Sequence, residues 1–290
     1  MRTGAGEVEF SSFLERLDNG ELQFTTTGGS YIKMPRACIM DEEADVIDWV
    51  YDTETLTNTE HLKGRALLAV RSDDCDDLNE RILMRLHPHE EHRKYFAVDD
   101  IDRDDPECVV EMMAQDYLSF TTNPGMPPYE LHLKKRSRRD VMLLRNIDLA
   151  CGLCNGTRLV VNEMHQNSLL CTILTGTRAG ETTVITKLPL KYKGGKHDGG
   201  VAFTRTQFPI RLSYCMTINK AQGQTLDRVG IILRTPVFAH GQLYVALSRV
   251  RSMSSLRIYT TLPQRPKRTT FNDEEYVPIR NVVNPYMANE

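Results

Sequence analysis

The sequence of 290 residues has little of what membrane or secreted proteins need. No apolar run approaches the roughly 18 residues of a membrane-spanning helix, and the opening residues MRTGAGEVE lack the basic end and apolar core of a signal peptide. Seven cysteines, an odd number, are scattered thinly along the chain, which excludes a disulfide framework. We therefore expect a protein of the cytosol or nucleus whose cysteines stay reduced.

The sequence also contains only one tryptophan, but its 40% hydrophobic and 26% charged residues are ordinary for a soluble globular protein. The length suits one large or two smaller domains. The net charge of −3 conceals an asymmetry, because residues 1–130 hold 12 Lys/Arg against 29 Asp/Glu whereas residues 131–290 hold 24 against 10. The basic half either contacts a polyanion or simply neutralises the acidic half.

Apolar residues at helical spacing predict two amphipathic helices in the acidic half, one within residues 9–24 and one within residues 41–52. Asp41 is the expected N-cap of the second helix, which carries further acids in its favourable first turn. The apolar run RALLAV at residues 65–70 predicts a buried parallel strand and leads into a helical segment. A turn cluster at residues 123–128 predicts a domain boundary near residue 130.

Beyond that boundary, five short β-type runs separated by turn signals predict a small barrel or twisted sheet between residues 141 and 204. Residues 211–218 and 228–233 are then typical of longer strands, residues 241–249 of a helix and residues 255–261 of a last strand. The α/β character therefore returns in the final third. Residues 263–290 are polar and punctuated by proline, which predicts an extended tail.

A nucleotide-hydrolysing motor needs a glycine-rich loop that ends in Lys and Ser/Thr, because backbone N–H groups cradle the phosphates and the hydroxyl holds magnesium. The sequence contains no such loop. Its nearest imitation, GGKH at residues 194–197, has His where the hydroxyl should be, and we interpret it as a turn. The segment CIMDE at residues 38–42 imitates a magnesium-binding acidic pair, but the start of a helix explains its acids better.

Two further features have open interpretations. Cys151 and Cys154 have the spacing of half a zinc site, but no second pair follows, so structural cysteines are favoured over zinc ligands. The basic run KKRSRR at residues 134–139 is interpreted as a phosphate contact, a nuclear-import signal or a solvated loop.

Two late segments offer a candidate binding site. Residues 213–226, SYCMTINKAQGQTL, predict a buried strand that ends in polar groups suited to phosphates, and Gly223 would permit close approach to the backbone. These polar groups are Thr217, Asn219, Lys220 and Gln222. Residues 244–251, YVALSRVR, predict a helical segment that would hold Arg249 in a fixed place, as an arginine that stabilises a transition state must be. On composition alone, such segments are more often core and surface than a site.

The two late segments resemble the fifth and sixth signature motifs of superfamily-one DNA helicases of the Pif type, and especially the helicase part of Helitron transposons. The resemblance extends upstream through MLLRN at residues 142–146, GLCNGTR at residues 152–158 and QFPI at residues 207–210. It implies an α/β fold, namely a RecA-like, P-loop-NTPase-type second motor domain with a small β-barrel insertion of the Src-homology type.

The resemblance also implies a division of the chain. Residues 61–129 and 208–262 would form the second RecA-like motor domain, and residues 130–207 the inserted barrel. Residues 1–60 would be a remnant of the first motor domain with a linker. The first three motifs, which carry the phosphate loop and the magnesium-binding acids, are missing, as expected if the sequence begins just after them.

Site residues are implied in the same way. Thr217, Asn219, Lys220 and Gln222 would contact single-stranded DNA. Gly223 and Gln224 would approach the γ-phosphate, and Arg249 would be the catalytic arginine that bridges to it across a cleft.

The activity implied is that of the C-terminal motor half of an ATP-dependent 5'-to-3' DNA helicase of the nucleus. The complete enzyme would use ATP and Mg²⁺, but we expect neither to bind tightly to this chain alone, nor any metal site in it. A first motor domain supplied by a longer chain is an expected partner, and membranes are not. The alternatives are a non-enzymatic module that binds single-stranded DNA and a partner that acts in trans with a separate ATPase domain.

Overall fold

The computed structural model describes residues 8–26, 29–52, 54–55, 59–85, 92–101, 125–134, 139–193, 202–261 and 276–282. The chain divides into two compact units, of which the first comprises Met1–Ile82 and Tyr214–Glu290 and the second Leu83–Ser213. Within the described ranges, no helix has the length and apolar character needed to cross a membrane.

The first unit contains all the described α-helices and two sheets. Its helices are α1 (Val8–Asp18), α2 (Glu43–Val50), α3 (Thr59–Lys63), α4 (Ser72–Arg85) and α5 (Gln242–Leu247). The last three residues of α4 are assigned to the second unit. Its strands are β1 (Gln23–Thr26), β2 (Gly29–Pro35), β3 (Arg65–Ala69), β14 (Cys215–Thr217), β15 (Arg228–Leu233), β16 (Leu256–Thr260) and β17 (Tyr276–Asn281).

The centre of the first unit is a four-stranded parallel sheet in the order β14-β3-β15-β16. Residues 66–69 and 229–233 are buried without alternation, as expected of parallel strands covered on both faces. Helix α2 packs closely against β15, because Gly230 leaves room for Val46 and Val50. The strand and helix expected at residues 65–86 are therefore confirmed as β3 and α4.

A second sheet of the first unit is antiparallel and has the order β1-β2-β17. Strand β17 corrects the expectation of an extended tail over residues 263–290. Val277 and Ile279 alternate into the core, which supplies the apolar burial that a strand needs. Pro278 is tolerated because β17 pairs only with β2 and forms the edge of this sheet.

The second unit is built from antiparallel strands. They are β4 (His92–Phe96), β5 (Val98–Ile101), β6 (Glu130–Lys134), β7 (Arg139–Leu143), β8 (Arg158–Met164), β9 (Ser168–Ile173), β10 (Thr182–Thr186), β11 (Leu188–Tyr192), β12 (Phe203–Gln207) and β13 (Ile210–Leu212). They form sheets in the orders β10-β9-β8-β7-β13, β11-β12-β5 and β4-β6. Inward side chains of β6 to β9 and β13 build the main core around Phe208.

Two buried ion pairs stabilise the second unit. Arg158 donates hydrogen bonds to the carboxylate of Asp140, which also accepts one from the Ser213 hydroxyl at 2.7 Å. Arg205 donates to both oxygens of Asp99, at 2.8 and 2.7 Å. Each buried charge therefore has a hydrogen-bonded partner of opposite charge, and removing one partner would leave the other buried and unpaired.

Three local expectations differ from the structure. Strands β4 and β5, within the range 61–129 assigned to the RecA-like domain, pair instead with β6 and β12. The long strand expected at residues 211–218 is two short strands, because Ser213 bonds to Asp140 while Tyr214 accepts hydrogen bonds from Leu67 and Tyr51. Asp41 was wrong as an N-cap: Glu42 occupies that position, and Asp41 pairs with Arg36.

Candidate nucleic-acid and nucleotide site

The candidate site lies at the carboxyl edge of the parallel sheet. Residues 218–224 follow directly from the end of the edge strand β14, and we refer to them as the β14 turn. In open parallel sheets, loops at the carboxyl ends of the strands form the usual ligand crevice. The position of the β14 turn is therefore the position at which an α/β fold binds ligands.

The β14 turn buries its apolar residues and exposes its polar ones. It begins with a 3-10 helix, Ile218–Ala221, whose terminal residues Ile218 and Ala221 are fully buried. Asn219 and Gln222 are exposed, and Lys220 is half-buried. Thr217, the last residue of β14, is also half-buried. The four residues expected to contact DNA thus lie within six consecutive positions on one anchored turn.

Gly223 gives the β14 turn its shape. Its φ of +87° lies in the left-handed region, which residues with a Cβ adopt only at a cost. A Cβ built on Gly223 would meet no atom within 4 Å, so the space beside the backbone is open. Close approach of a ligand to the backbone at Gly223 stays a prediction.

Arg249 lies directly after α5 and reaches the β14 turn with its guanidinium. Nη1 donates to the carbonyl oxygens of Ala221 at 3.3 Å and Gln224 at 3.1 Å. Nε donates to the carbonyl of Val245 at 2.7 Å, and Nη2 to the Ser248 hydroxyl at 2.7 Å. Arg249 is only 8% exposed. The structure thus brings the Arg249 guanidinium into contact with the β14 turn, and the bridge from Arg249 to a γ-phosphate stays a prediction.

Gln224 closes the β14 turn. Its backbone N–H donates to Ala221 at 3.1 Å, and its side-chain Nε2 donates to the carbonyl of Lys220 at 3.3 Å. Its Oε1 is buried and has no hydrogen-bond partner within the described part of the chain.

Asn79 is a supporting residue that the sequence analysis did not assign to the site. It lies on α4, is almost fully buried, and donates to the carbonyl of Cys215 at 2.9 Å while accepting from its N–H at 2.8 Å. These bonds fix β14 two residues before Thr217. An asparagine on the buried face of an amphipathic helix was the available signal, because such a polar group needs a partner.

Residues predicted to approach a nucleotide lie beside each other at the β14 turn. Gly223 offers open backbone, and Arg249 is the neighbouring cation. Among the residues that the structure describes, no group of three or more His, Cys, Asp or Glu side chains could hold a metal ion.

Cys151 is exposed and Cys154 half-buried, and the N–H of Cys151 donates to Asp148. The imitation loop at 194–197 and most of the basic run, 135–138, fall outside the described residues.

Comparisons with known proteins identify relatives of one kind. Residues 116–164 match the model of the DNA helicase Pif1 2B domain. An ATP-dependent DNA helicase PIF1 of Xenopus laevis is 35% identical over 71% of this chain and 30% of its own length. Its Homo sapiens counterpart is 35% identical over 66% of this chain and 26% of its own length. The chain thus spans less than a third of these curated relatives.

Solved structures show a similar fold. The Bacteroides Pif1 bound to single-stranded DNA has a TM-score of 0.55 and 22% identity over 89% of this chain and 50% of that one. The Bacteroides Pif1 in complex with ADP-AlF3 and single-stranded DNA has a TM-score of 0.55 and 21% identity over 90% of this chain. The chain therefore shares the mixed α/β fold of these Pif1 structures, and by sequence it is similar to ATP-dependent DNA helicases named PIF1.

Proposed function

We propose that the chain is the C-terminal motor part of an ATP-dependent 5'-to-3' DNA helicase of the Helitron-like branch. The parallel-sheet unit would be its second RecA-like domain, and strands of the second unit would form an inserted small β-barrel. The observation that carries the proposal is the contact of Arg249 with a polar turn at the carboxyl edge of a parallel sheet.

Single-stranded DNA is the proposed ligand of the β14 turn. Asn219 and Gln222 are exposed at its surface, and Lys220 adds a positive charge to it. Such a turn can contact phosphate oxygens through amide and ammonium donors without reading bases. Binding should therefore be tolerant of sequence and sensitive to salt.

ATP is the proposed cofactor of the complete enzyme, and Gly223, Gln224 and Arg249 are the residues of this chain that would contact it. When bound, ATP with Mg²⁺ supplies the γ-phosphoryl group whose transfer drives unwinding. Arg249 would stabilise charge that develops on that group. Because the 290 residues contain no phosphate loop, a first motor domain must supply most of the phosphate affinity.

The experiment is to join the chain to the first motor domain of a Pif1-type relative and to measure DNA-stimulated ATP turnover. Arg249→Lys keeps the charge but loses the planar fork, so turnover should fall at least a hundred-fold, which is about 3 kcal/mol of transition-state stabilisation. Arg251→Lys is the matched control, because Arg251 is exposed two residues away. Retained turnover in the Arg249→Lys variant, at unchanged melting temperature, would contradict the assignment.

A non-enzymatic module that binds single-stranded DNA is the second candidate, and the excess of 24 Lys/Arg over 10 Asp/Glu in residues 131–290 supports it. This function predicts that the chain alone binds single strands through Lys220 while no joined domain restores turnover. A nuclear location is proposed from the basic run at residues 134–139, and relocation of a fluorescent fusion after replacement of residues 135–139 by alanine would test it. Lys134 is kept, because it is fully buried and donates to the carbonyl of Met84.

A further inference from the structure

The guanidinium of Arg249 donates hydrogen bonds to residues that are distant in sequence. Its Nη1 bonds to the carbonyls of Ala221 and Gln224, which are 28 and 25 residues away along the chain. These two carbonyls flank the dipeptide Gln222–Gly223. The backbone repeats the connection, since the N–H of Leu226 donates to the carbonyl of Arg249 at 2.8 Å.

Neutral hydrogen bonds also hold the β14 turn: Gln224 donates from its N–H to Ala221 at 3.1 Å and from Nε2 to the carbonyl of Lys220 at 3.3 Å. Within the turn, the N–H of Gln222 donates to Asn219 at 3.3 Å, which is long for a backbone bond. Gly223 carries no side chain, and the space around its Cα is open. The charged donor of Arg249 is therefore a principal restraint on the turn, because a hydrogen bond from an ionised donor is roughly twice as strong as a neutral one.

We propose that Arg249 is a positioning residue for the β14 turn, which it holds in the DNA-binding conformation when no nucleotide is present. The inference rests on the proposed contact of that turn with single-stranded DNA. A phosphate bound to the same guanidinium would draw it away from the two carbonyls. Nucleotide binding would then loosen the β14 turn and weaken its binding of DNA. By thermodynamic linkage, DNA binding would weaken nucleotide binding by the same factor.

The test uses the 290-residue chain without nucleotide and the variants Arg249→Met, Arg249→Lys and Arg251→Lys. Arg249→Met retains much of the buried stem but loses every donor, so amide hydrogen exchange of residues 222–226 should accelerate about ten-fold or more. Exchange in β15 should stay unchanged. Arg249→Lys can reach only one carbonyl at a time and should give an intermediate acceleration. Arg251→Lys should change nothing.

Affinity for single-stranded DNA is measured on the same variants and on Lys220→Ala. We expect Arg249→Met to weaken binding about five-fold or more, because the turn must be ordered again on binding. Unchanged exchange in residues 222–226 would overturn the inference. Weaker binding for Lys220→Ala with unchanged binding for Arg249→Met would also overturn it, while the proposed function stands. If neither variant binds more weakly, the proposed DNA contact itself fails.

If Arg249→Met lowers the melting temperature so far that exchange is global, Arg249→Lys decides alone. Acceleration confined to residues 222–226 in that variant supports the inference. Acceleration spread equally over β15 and β16 would make Arg249 an ordinary core residue and overturn it.

Discussion

The carboxylate of Glu43 is the clearest place to perturb the parallel-sheet unit. It begins α2, and it accepts hydrogen bonds from Arg234 Nε at 2.7 Å and Nη2 at 2.8 Å. Arg81 of α4 donates a further one. Arg234, which follows β15, also donates to Asp77 of α4 at 2.6 Å. The cluster therefore connects α2 and α4 to the end of β15.

Glu43→Gln removes the charge at the centre of this cluster while keeping its shape. The Glu43 side chain is 14% exposed and that of Arg234 is 26% exposed, so the lost interaction is only partly screened by water. Charged hydrogen bonds contribute about 1.5–3 kcal/mol each, and the variant amide keeps one acceptor. We expect a loss of about 2 kcal/mol in the free energy of unfolding, which corresponds to about 4–8 °C in melting temperature.

The effect should depend on pH in one direction. Burial opposes ionisation of Glu43, but the hydrogen bonds from Arg234 and Arg81 outweigh it, so the pKa of Glu43 lies below its ordinary value. The stabilisation is then fully present above the unfolded carboxyl pKa of about 4.3 and is lost as the pH falls through the folded value. The stability difference between the parent chain and the variant should be constant from pH 6 to about 8 and should decrease below about pH 4.

Urea unfolding followed by fluorescence of the single tryptophan measures this difference. Trp49 lies on α2, and its ring is 4.7 Å from Arg228 Cζ and 4.8 Å from Arg257 Cζ, so it reports on the same unit. Asp41→Asn is the matched control, because the Arg36–Asp41 pair is exposed and should be worth less than about 1 kcal/mol. Equal losses for the two variants, or no loss for Glu43→Gln, would refute the reasoning.

Three further predictions concern packing and the turn. Gly230→Ala should cost about 1–3 kcal/mol, measured as a lower urea midpoint, because its Cβ would lie 2.6 Å from Val46. Gly223→Ala should lower the free energy of unfolding by about 1–2 kcal/mol, because the backbone of Gly223 is left-handed. Gly223→Asn should lower it less, since asparagine tolerates that region. Equal melting temperatures for the two variants would argue against this explanation. Cys151 should react with maleimide before Cys215, because Cys151 is exposed whereas Cys215 is buried and burial raises its pKa; peptide mass spectrometry would detect the reverse order.

Sequence patterns predicted those elements in which several neighbouring residues carry the same signal of burial. The apolar run at 65–70 and the helix behind it could be assigned because several consecutive positions carry the same signal. Five strands of the second unit were likewise predicted near their observed positions from short β-type runs between turns, namely β7, β8, β9, β10 and β12. The end of β14 was chosen as a candidate site from the motif resemblance, because polar residues after a buried strand are by themselves more often core and surface than a site.

Contacts between distant residues could not be predicted in this way. β17 pairs with a strand more than 240 residues earlier, so proline and charge dominated its local pattern. The carbonyl partners of Arg249 are backbone atoms, which carry no signature in sequence. Asp41 had the residue type of an N-cap, but a nearby arginine offered a stronger partner than a backbone N–H.

The central claim, that the β14 turn contacts single-stranded DNA, is tested most directly by the salt dependence of binding. Affinity for a labelled oligonucleotide is measured against salt concentration for the 290-residue chain, Lys220→Ala and Lys33→Ala. Lys33 is an exposed lysine on β2 of the same unit, so its variant removes the same charge elsewhere. We predict weaker binding and a slope reduced by about 0.7 for Lys220→Ala only. Equal slopes and affinities for the two variants would contradict the account.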